Sequence, residues 1–410
     1  MIGRFSLYGF LKNQRYFEPF LVLALLDKGL SYTLLGLLLG FREIAINLLE
    51  IPTGAIADVA GRRRAMIASH LAYIASFAVF AFADAVATLF LAMALFSVGE
   101  AFRTGTHKAI IVHWLTREGR AGETIGVYGF TRSWSKIGSA VSVVIAAALV
   151  FTLRRYDIIF LLSIPPYAAN IVNFLTYPRY LDHRAPQGAS VKQTIKALAR
   201  AFRDALRRRP LRGLLVESMG FAGFYKAGED YLQPIIAATA LAAPVMLGWT
   251  DLQRTAVLVG AVYVVLHLVS SAASRRSALV ASRAGSPVRA ARRLWWAMAA
   301  CCAVLAASLL GGPLAMAIAI TAFIALSILQ NFWRPIMVSR LTDASDPSLH
   351  ATALSMESQA KSLFVAVAAP VLGFLIDVAP AEIRFLPVGL LGLAVALVAL
   401  AAVRPGRTEV

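Results

Sequence analysis

The chain has 410 residues, 59% of them apolar and only 15% charged, with a mean hydropathy of +0.70. A chain that apolar cannot keep a solvated surface, which excludes a disordered protein, a fibrous repeat and a soluble enzyme. Lys plus Arg number 40 against 22 Asp plus Glu, a net charge of +18 that suits either nucleic acid or the basic loops of a membrane protein, and the placement of the charges decides between them.

A bilayer core about 30 Å thick takes roughly 20 mainly apolar residues per spanning helix. In the first half of the chain, segments of this kind run Leu7–Leu26, Leu34–Ala57, Ala65–Ala83, Leu89–Leu115, Arg132–Leu153 and Ile158–Tyr177. The second half gives Leu211–Ala238, Arg254–Ser274, Leu294–Leu310, Leu314–Leu341, Ala351–Asp377 and Phe385–Val403. The first is the most polar, with Lys12, Asn13, Gln14, Arg15 and Glu18 in or before a short apolar run. No small-residue cleavage site follows it, so it reads as a polar-lined spanning helix rather than a signal peptide. The expected fold is an all-α membrane protein with twelve transmembrane helices.

Basic residues alternate between the two sides. With a cytoplasmic amino terminus, the cytoplasmic connections hold Arg62–Arg64, Arg117, Arg120, the Arg179–Arg212 region, Arg275, Arg276, Arg283, Arg289, Arg292, Arg293, Arg340, Arg404 and Arg407. The opposite side holds Lys28, Arg154, Arg155, Arg254 and Arg384. This asymmetry places both termini in the cytoplasm and accounts for the +18 without nucleic acid. The bias towards arginine and alanine points to a GC-rich bacterium, hence to its inner membrane.

The longest polar stretch, Pro178–Pro210, separates six spans from six. Ile195, Leu198, Phe202 and Leu206 recur there at helical spacing, with Lys192, Lys196, Arg200, Arg203 and Arg207 on other faces. Such a helix lies along the anionic leaflet of a bilayer, which makes the lipid surface an expected partner. The organisation is therefore an N-terminal six-helix bundle (1–178), a basic cytoplasmic linker (179–210) and a C-terminal six-helix bundle (211–410), a common transporter plan. Cys301 and Cys302 are adjacent in an apolar run and read as inert core thiols.

After the second span comes Gly54-Ala-Ile-Ala-Asp58-Val-Ala-Gly61-Arg62-Arg63-Arg64. Gly54 would let helices approach, Asp58 would cap a helix or pair with a cation, Gly61 would allow a sharp turn, and the arginines would pin it at the cytoplasmic face. The segment resembles motif A of the major facilitator superfamily, in residues and in position, although Val59 and Ala60 lack the basic residue often found there. The preceding Leu49-Glu50-Ile51-Pro52-Thr53 is similar to a version found in many bacterial members. The resemblance implies the superfamily's fold, two bundles rocking about a midplane site in alternating access, with Gly54, Asp58, Gly61, Arg62, Arg63 and Arg64 as a conformational latch. The fifth span lacks the Gly-Pro-rich motif C of drug/proton antiporters, which disfavours that class.

Ionisable groups at membrane depth cost about 2.5–3.5 kcal/mol on insertion scales, so each needs a partner, a wet cavity or an interfacial position. The resemblance implies a cavity lined mostly by the first, fourth, seventh and tenth spans. Arg15 and Glu18 lie one turn apart on the first. Glu100, Arg103 and His107 share a face of the fourth at i, i+3 and i+7. Lys226, Glu229 and Asp230 stack on the seventh, and Asn331 and Arg334 flank a proline on the tenth. Glu357/Lys361 and Arg132/Lys136 read instead as structural charges. The six-residue spacing of His107 and His113 does not suit a metal, so no metal site and no cofactor are expected.

The reading is a secondary transporter of a small polar, charged solute. Arg15, Arg103 and Arg334 would contact a carboxylate or phosphate, and Glu18, Glu100, Glu229 and Asp230 would be proton carriers. A multidrug/proton antiporter and a non-transporting receptor or scaffold are the rivals. An enzyme is disfavoured because no nucleophile elbow, metalloprotease helix or Walker loop is present. The expected partners are the solute, protons and lipid, with a monomeric chain and no nucleic acid.

Overall fold

The structure, a computed structural model, describes residues 1–182, 203, 209–243, 246–311, 313–345 and 350–402. Among these, every regular element is helical. Among the described residues, eight helical segments, some of them interrupted, are long and apolar enough to cross a membrane: Arg62–Phe82, Val86–Arg117, Ala121–Leu153, Ile158–Leu175, Asp251–Ser277, Pro287–Ser308, Ala315–Asp343 and Thr352–Val378. The other four expected spans take different forms. The second is the helix Tyr32–Ala60, which carries Pro52 inside it. The last is a short apolar helix, Leu386–Ala402. The first and seventh are interrupted, and those interruptions place the polar side chains discussed below. The expected linker helix over 191–209 lies almost wholly outside the described residues.

The chain forms two compact units, one of Met1–Lys28 with Phe41–Ala197 and one of Gly29–Gly40 with Leu198–Val410. The first unit has an apolar core in which Phe5, Met66, Ile110, Leu115 and Phe174 are fully buried. A second aromatic layer stacks Phe160 between Phe17 and Phe80, at 5.7 and 5.1 Å between ring centroids.

The second unit is held by close backbone approach and by an aromatic box. A Cβ on Gly373 would lie 2.0 Å from the Tyr32 carbonyl oxygen, and one on Gly36 would lie 2.2 Å from that of Ala369. Only glycine lets these helices meet so closely. Asp377 completes the contact by accepting the backbone N–H groups of Tyr32 (3.0 Å) and Thr33 (2.8 Å) at the start of the helix Tyr32–Ala60. These are among the donors that a helix start leaves unpaired. Phe221 stacks on Trp333 at 4.1 Å, and Trp295 meets both edge-on.

Candidate functional site

The first helix, Ile2–Lys12, stops where Asn13 folds back: its amide Nδ2 donates to the Gly9 carbonyl at 2.7 Å. A non-helical stretch follows, then a 3-10 turn Glu18–Phe20 opened by Pro19, then the helix Leu21–Asp27. Arg15 and Glu18 are therefore not one α-helical turn apart, as continuous periodicity implied. The break instead lets Arg15 reach the fourth span.

The fourth span also breaks. Val86–Arg103 and Thr106–Arg117 are separate helices joined through Gly105, whose φ of +76° is a backbone conformation glycine adopts freely. The expected single face for Glu100, Arg103 and His107 is corrected accordingly, since His107 belongs to the second helix. Glu100 and Arg103 remain one turn apart and are joined by an ion pair. Glu100 also pairs with Arg15, so one carboxylate sits between two guanidiniums. Arg15 Nε donates to Tyr167 Oη (2.9 Å), which donates to the Lys12 carbonyl (2.9 Å). Tyr73 Oη accepts from Arg103 Nε at 3.2 Å. The three charged side chains are only 11–22% exposed. His107 stacks on Tyr8 at 3.8 Å and meets Tyr177 Oη at 3.3 Å through Nε2.

Beside this network lies a cavity of about 390 Å³, lined entirely by the first unit. Its walls carry Lys12, Arg103, Lys108, Arg132 and Lys136, and among the described residues no acidic side chain lines it. His107 and Tyr8 form part of the same wall. Of the expected binding residues, Arg103 and His107 line this space, whereas Arg15 is turned into the ion network. Lys12, Arg132 and Lys136 were not expected as binding residues. They come from the end of the first helix and the start of the helix Thr124–Leu153, which begins two turns before the apolar run.

In the second unit, the seventh span runs Arg209–Ser218, a π-turn Met219–Gly223, Phe224–Gly228, a 3-10 turn Glu229–Tyr231 and Leu232–Ala242. Wide turns of this kind are frequent at functional positions. Lys226 Nζ pairs with Glu229 at 2.5 Å, and Asp230 follows in the 3-10 turn. Arg334 pairs with the fully buried Glu357 at 2.5 Å, and Ser218 Oγ donates to the other Glu357 oxygen at 2.5 Å. Asn331 accepts from Ser274 Oγ (2.9 Å) and donates to the Ser327 carbonyl (2.8 Å). Glu217 accepts from Arg340 (2.8 Å) and Trp295 Nε1 (3.2 Å). Arg334 and Asn331 are thus tied to neighbouring helices.

Around the basic motif, Arg62 pairs with Asp58 at 3.1 Å, and Gly61 turns the chain with φ +105°. A residue that sequence reasoning missed completes the site. Asp182 accepts from the backbone N–H of Arg63 (3.2 Å) and Arg64 (3.4 Å) and pairs with Arg64 Nε at 3.3 Å. It caps the helix Arg62–Phe82, and Arg63 Nη1 donates to the Tyr177 carbonyl at 3.0 Å. Gly54 does not serve close packing, because a Cβ there would meet nothing within 4 Å.

The family model of the Major Facilitator Superfamily matches residues 13–357. An uncharacterized MFS-type transporter of Bacillus subtilis (strain 168), YxaM, is 29% identical over 101 residues, which is 25% of this chain and only 24% of that protein's length. Among solved structures, the nucleoside transporter NupG superposes with a TM-score of 0.78 at 13% identity, covering 98% of this chain and 97% of its own. The peptide transporter POT in complex with sulfate superposes with a TM-score of 0.71 at 14% identity, covering 98% and 93%.

Proposed function

The chain belongs to the Major Facilitator Superfamily, and from that premise we propose that it is a secondary active transporter, not an enzyme, carrying a small anionic solute by alternating access with proton coupling. The observation that carries the substrate charge is the cavity beside the ion network, with five cationic side chains and no acidic one on its walls. Cations grouped in a low-dielectric wall raise the local concentration of anions and repel cations. A lipophilic-cation exporter would need the opposite lining.

Proton coupling is assigned to Glu229, whose carboxylate pairs with Lys226 and remains 29% exposed. A partly exposed carboxylate beside a lysine is suited to gain and lose a proton during a cycle, whereas Glu100 is engaged by two guanidiniums. Residues 1–178 and 211–410 act as the two bundles, and the basic motif around Asp58 and Gly61 acts as a latch at the cytoplasmic end. The excess of arginine in alternate loops supports cytoplasmic termini in a bacterial inner membrane, with the basic 179–210 segment against anionic lipid.

The test is uptake into proteoliposomes from labelled organic anions, sugars, amino acids and cationic drugs, with and without an imposed pH gradient. Gradient-driven accumulation of an anion is expected. The Glu229→Gln variant should retain counterflow exchange and lose accumulation against a gradient. Accumulation of lipophilic cations instead, or undiminished concentrative uptake by Glu229→Gln, would overturn the substrate charge or the coupling assignment respectively.

A further inference from the structure

We propose that the cationic cavity of the first unit is the recognition site for a hydroxylated phosphate monoester, with the phosphate held by Lys12, Arg132 and Lys136 and the hydroxyls read by the helix Thr124–Leu153. The assignment rests on the transport reading above and narrows its substrate class.

The charge count comes first. Five cationic residues line the cavity, and only one of them, Arg103, is an ion-pair partner of Glu100. Setting Arg103 aside leaves Lys12, Lys108, Arg132 and Lys136 around a space with no acidic lining residue. A monocarboxylate brings one negative charge and two acceptor oxygens to such a wall. A phosphate monoester brings a charge of about −1.5 to −2 near neutral pH and three strongly accepting oxygens. The donors also have suitable shapes, because a guanidinium offers a planar fork to phosphate oxygens and ammonium groups add point charges around it.

The second observation concerns acceptors. Thr131, Ser135 and Ser139 all line the cavity and recur every four residues, so they form one stripe beside the Arg132/Lys136 stripe of the same helix. Their hydroxyl protons are turned into the helix: Thr131 Oγ1 donates to the Tyr128 carbonyl (3.1 Å), and Ser139 Oγ donates to that of Ser135 (3.2 Å). What these hydroxyls retain towards the cavity is oxygen lone pairs. A ligand that matches them must donate, as alcohol hydroxyls do. The volume, about 390 Å³, lies at the small end of the roughly 300–1,000 Å³ typical of ligand cavities, which favours a solute of polyol or single-sugar size.

The experiment uses the full chain in phosphatidylcholine nanodiscs, titrated calorimetrically at constant ionic strength. The probes are glycerol 3-phosphate and glucose 6-phosphate, set against glycerol, glucose and glycerate, a hydroxylated monocarboxylate. The esters should bind at least tenfold more tightly than the neutral parents and than glycerate. Lys136→Gln and Arg132→Gln should each weaken ester binding by about tenfold or more. Ser139→Ala is the milder variant; it should weaken glucose 6-phosphate severalfold and leave inorganic phosphate unchanged. Unliganded melting curves establish that each variant is folded.

Equal binding of glycerate and the esters, or unchanged ester binding in all three folded variants, would overturn the assignment. A parallel arm in nanodiscs containing phosphatidic acid separates a lipid headgroup from a soluble ester: stabilisation by that lipid alone would also overturn it. Concentrative uptake of glycerate without ester binding would remove the phosphate assignment and leave anion transport standing. Ester binding without flux of any solute would do the reverse.

Discussion

Replacing Glu100 by Gln removes the one negative charge that lies between Arg15 and Arg103. All three side chains are at least 78% buried, and both guanidiniums depend on that carboxylate for charge compensation. Removing one partner of a buried pair costs about 3–5 kcal/mol, because the remaining charge is left without compensation. Here two cations would remain, so the upper part of that range applies. For a folding unit of about 150–250 residues, 1 kcal/mol moves the melting temperature by roughly 2–4 °C, so a loss on the order of 10 °C is expected. The assay is thermal unfolding in detergent followed by tryptophan fluorescence, with Arg15→Met and the double variant completing a thermodynamic cycle. Arg15→Met alone leaves a Glu100–Arg103 pair and should cost far less. The double variant should recover part of the Glu100→Gln loss, since only one unpaired guanidinium then remains. Melting of Glu100→Gln within 2 °C of the parent, or effects additive to within about 0.5 kcal/mol, would refute the clamp.

Asp182→Ala removes a helix cap and an ion pair together. Loss of the cap costs about 1 kcal/mol, while the Arg64 side chain is 61% exposed, so its pair adds little; a melting shift near 2–4 °C is expected, and none would deny Asp182 its capping role. Gly373→Ala forces a Cβ to within 2.0 Å of the Tyr32 carbonyl and should sharply reduce folded yield. Gly54→Ala, in open space on a helix, should be neutral or stabilising by up to about 1 kcal/mol. If Gly54→Ala proved the more damaging of the two in a yield and melting comparison, the packing argument would fail.

Hydropathy made most of the fold legible because it measures what a bilayer selects, namely length and apolarity. The helices Arg62–Phe82, Pro287–Ser308 and Pro313–Asp343 stand close to their expected ranges for that reason. Breaks within spans were not legible. Periodicity assumes an unbroken 3.6-residue repeat, and neither the turn at Gly105 nor the π-turn at Met219–Gly223 disturbs the local apolar content that hydropathy reads. Long-range partners were hidden for a different reason. Arg15 and Glu100 are 85 residues apart, and Asp182 lies 119 residues from Arg63. Spacing along one helix carries no information about such pairs. Lys12 was one of several polar residues of the first span and Arg132 and Lys136 read as structural charges; only the cavity they share distinguishes them.

The charges within the apolar segments fall into two energetic classes, and the division bears on function. Glu100 with Arg15 and Arg103, Glu357 with Arg334 and Ser218, and Glu217 with Arg340 and Trp295 are closed groups, each with at least one partner on another element. In each, a carboxylate meets cationic or hydrogen-bonding groups that offset its desolvation, and the group ties helices together. The cavity wall follows the opposite rule. Two like charges about 10 Å apart at an effective dielectric of 20 repel by roughly 1.7 kcal/mol, so several cations around one space destabilise the empty protein. A multiply charged anion entering that space relieves every such repulsion at once, whereas a monovalent anion relieves only part. The same arrangement that costs stability when empty therefore favours ligands of higher charge, and at equal free concentration a dianion should raise the melting temperature more than a monoanion of the same carbon skeleton, because it binds more tightly.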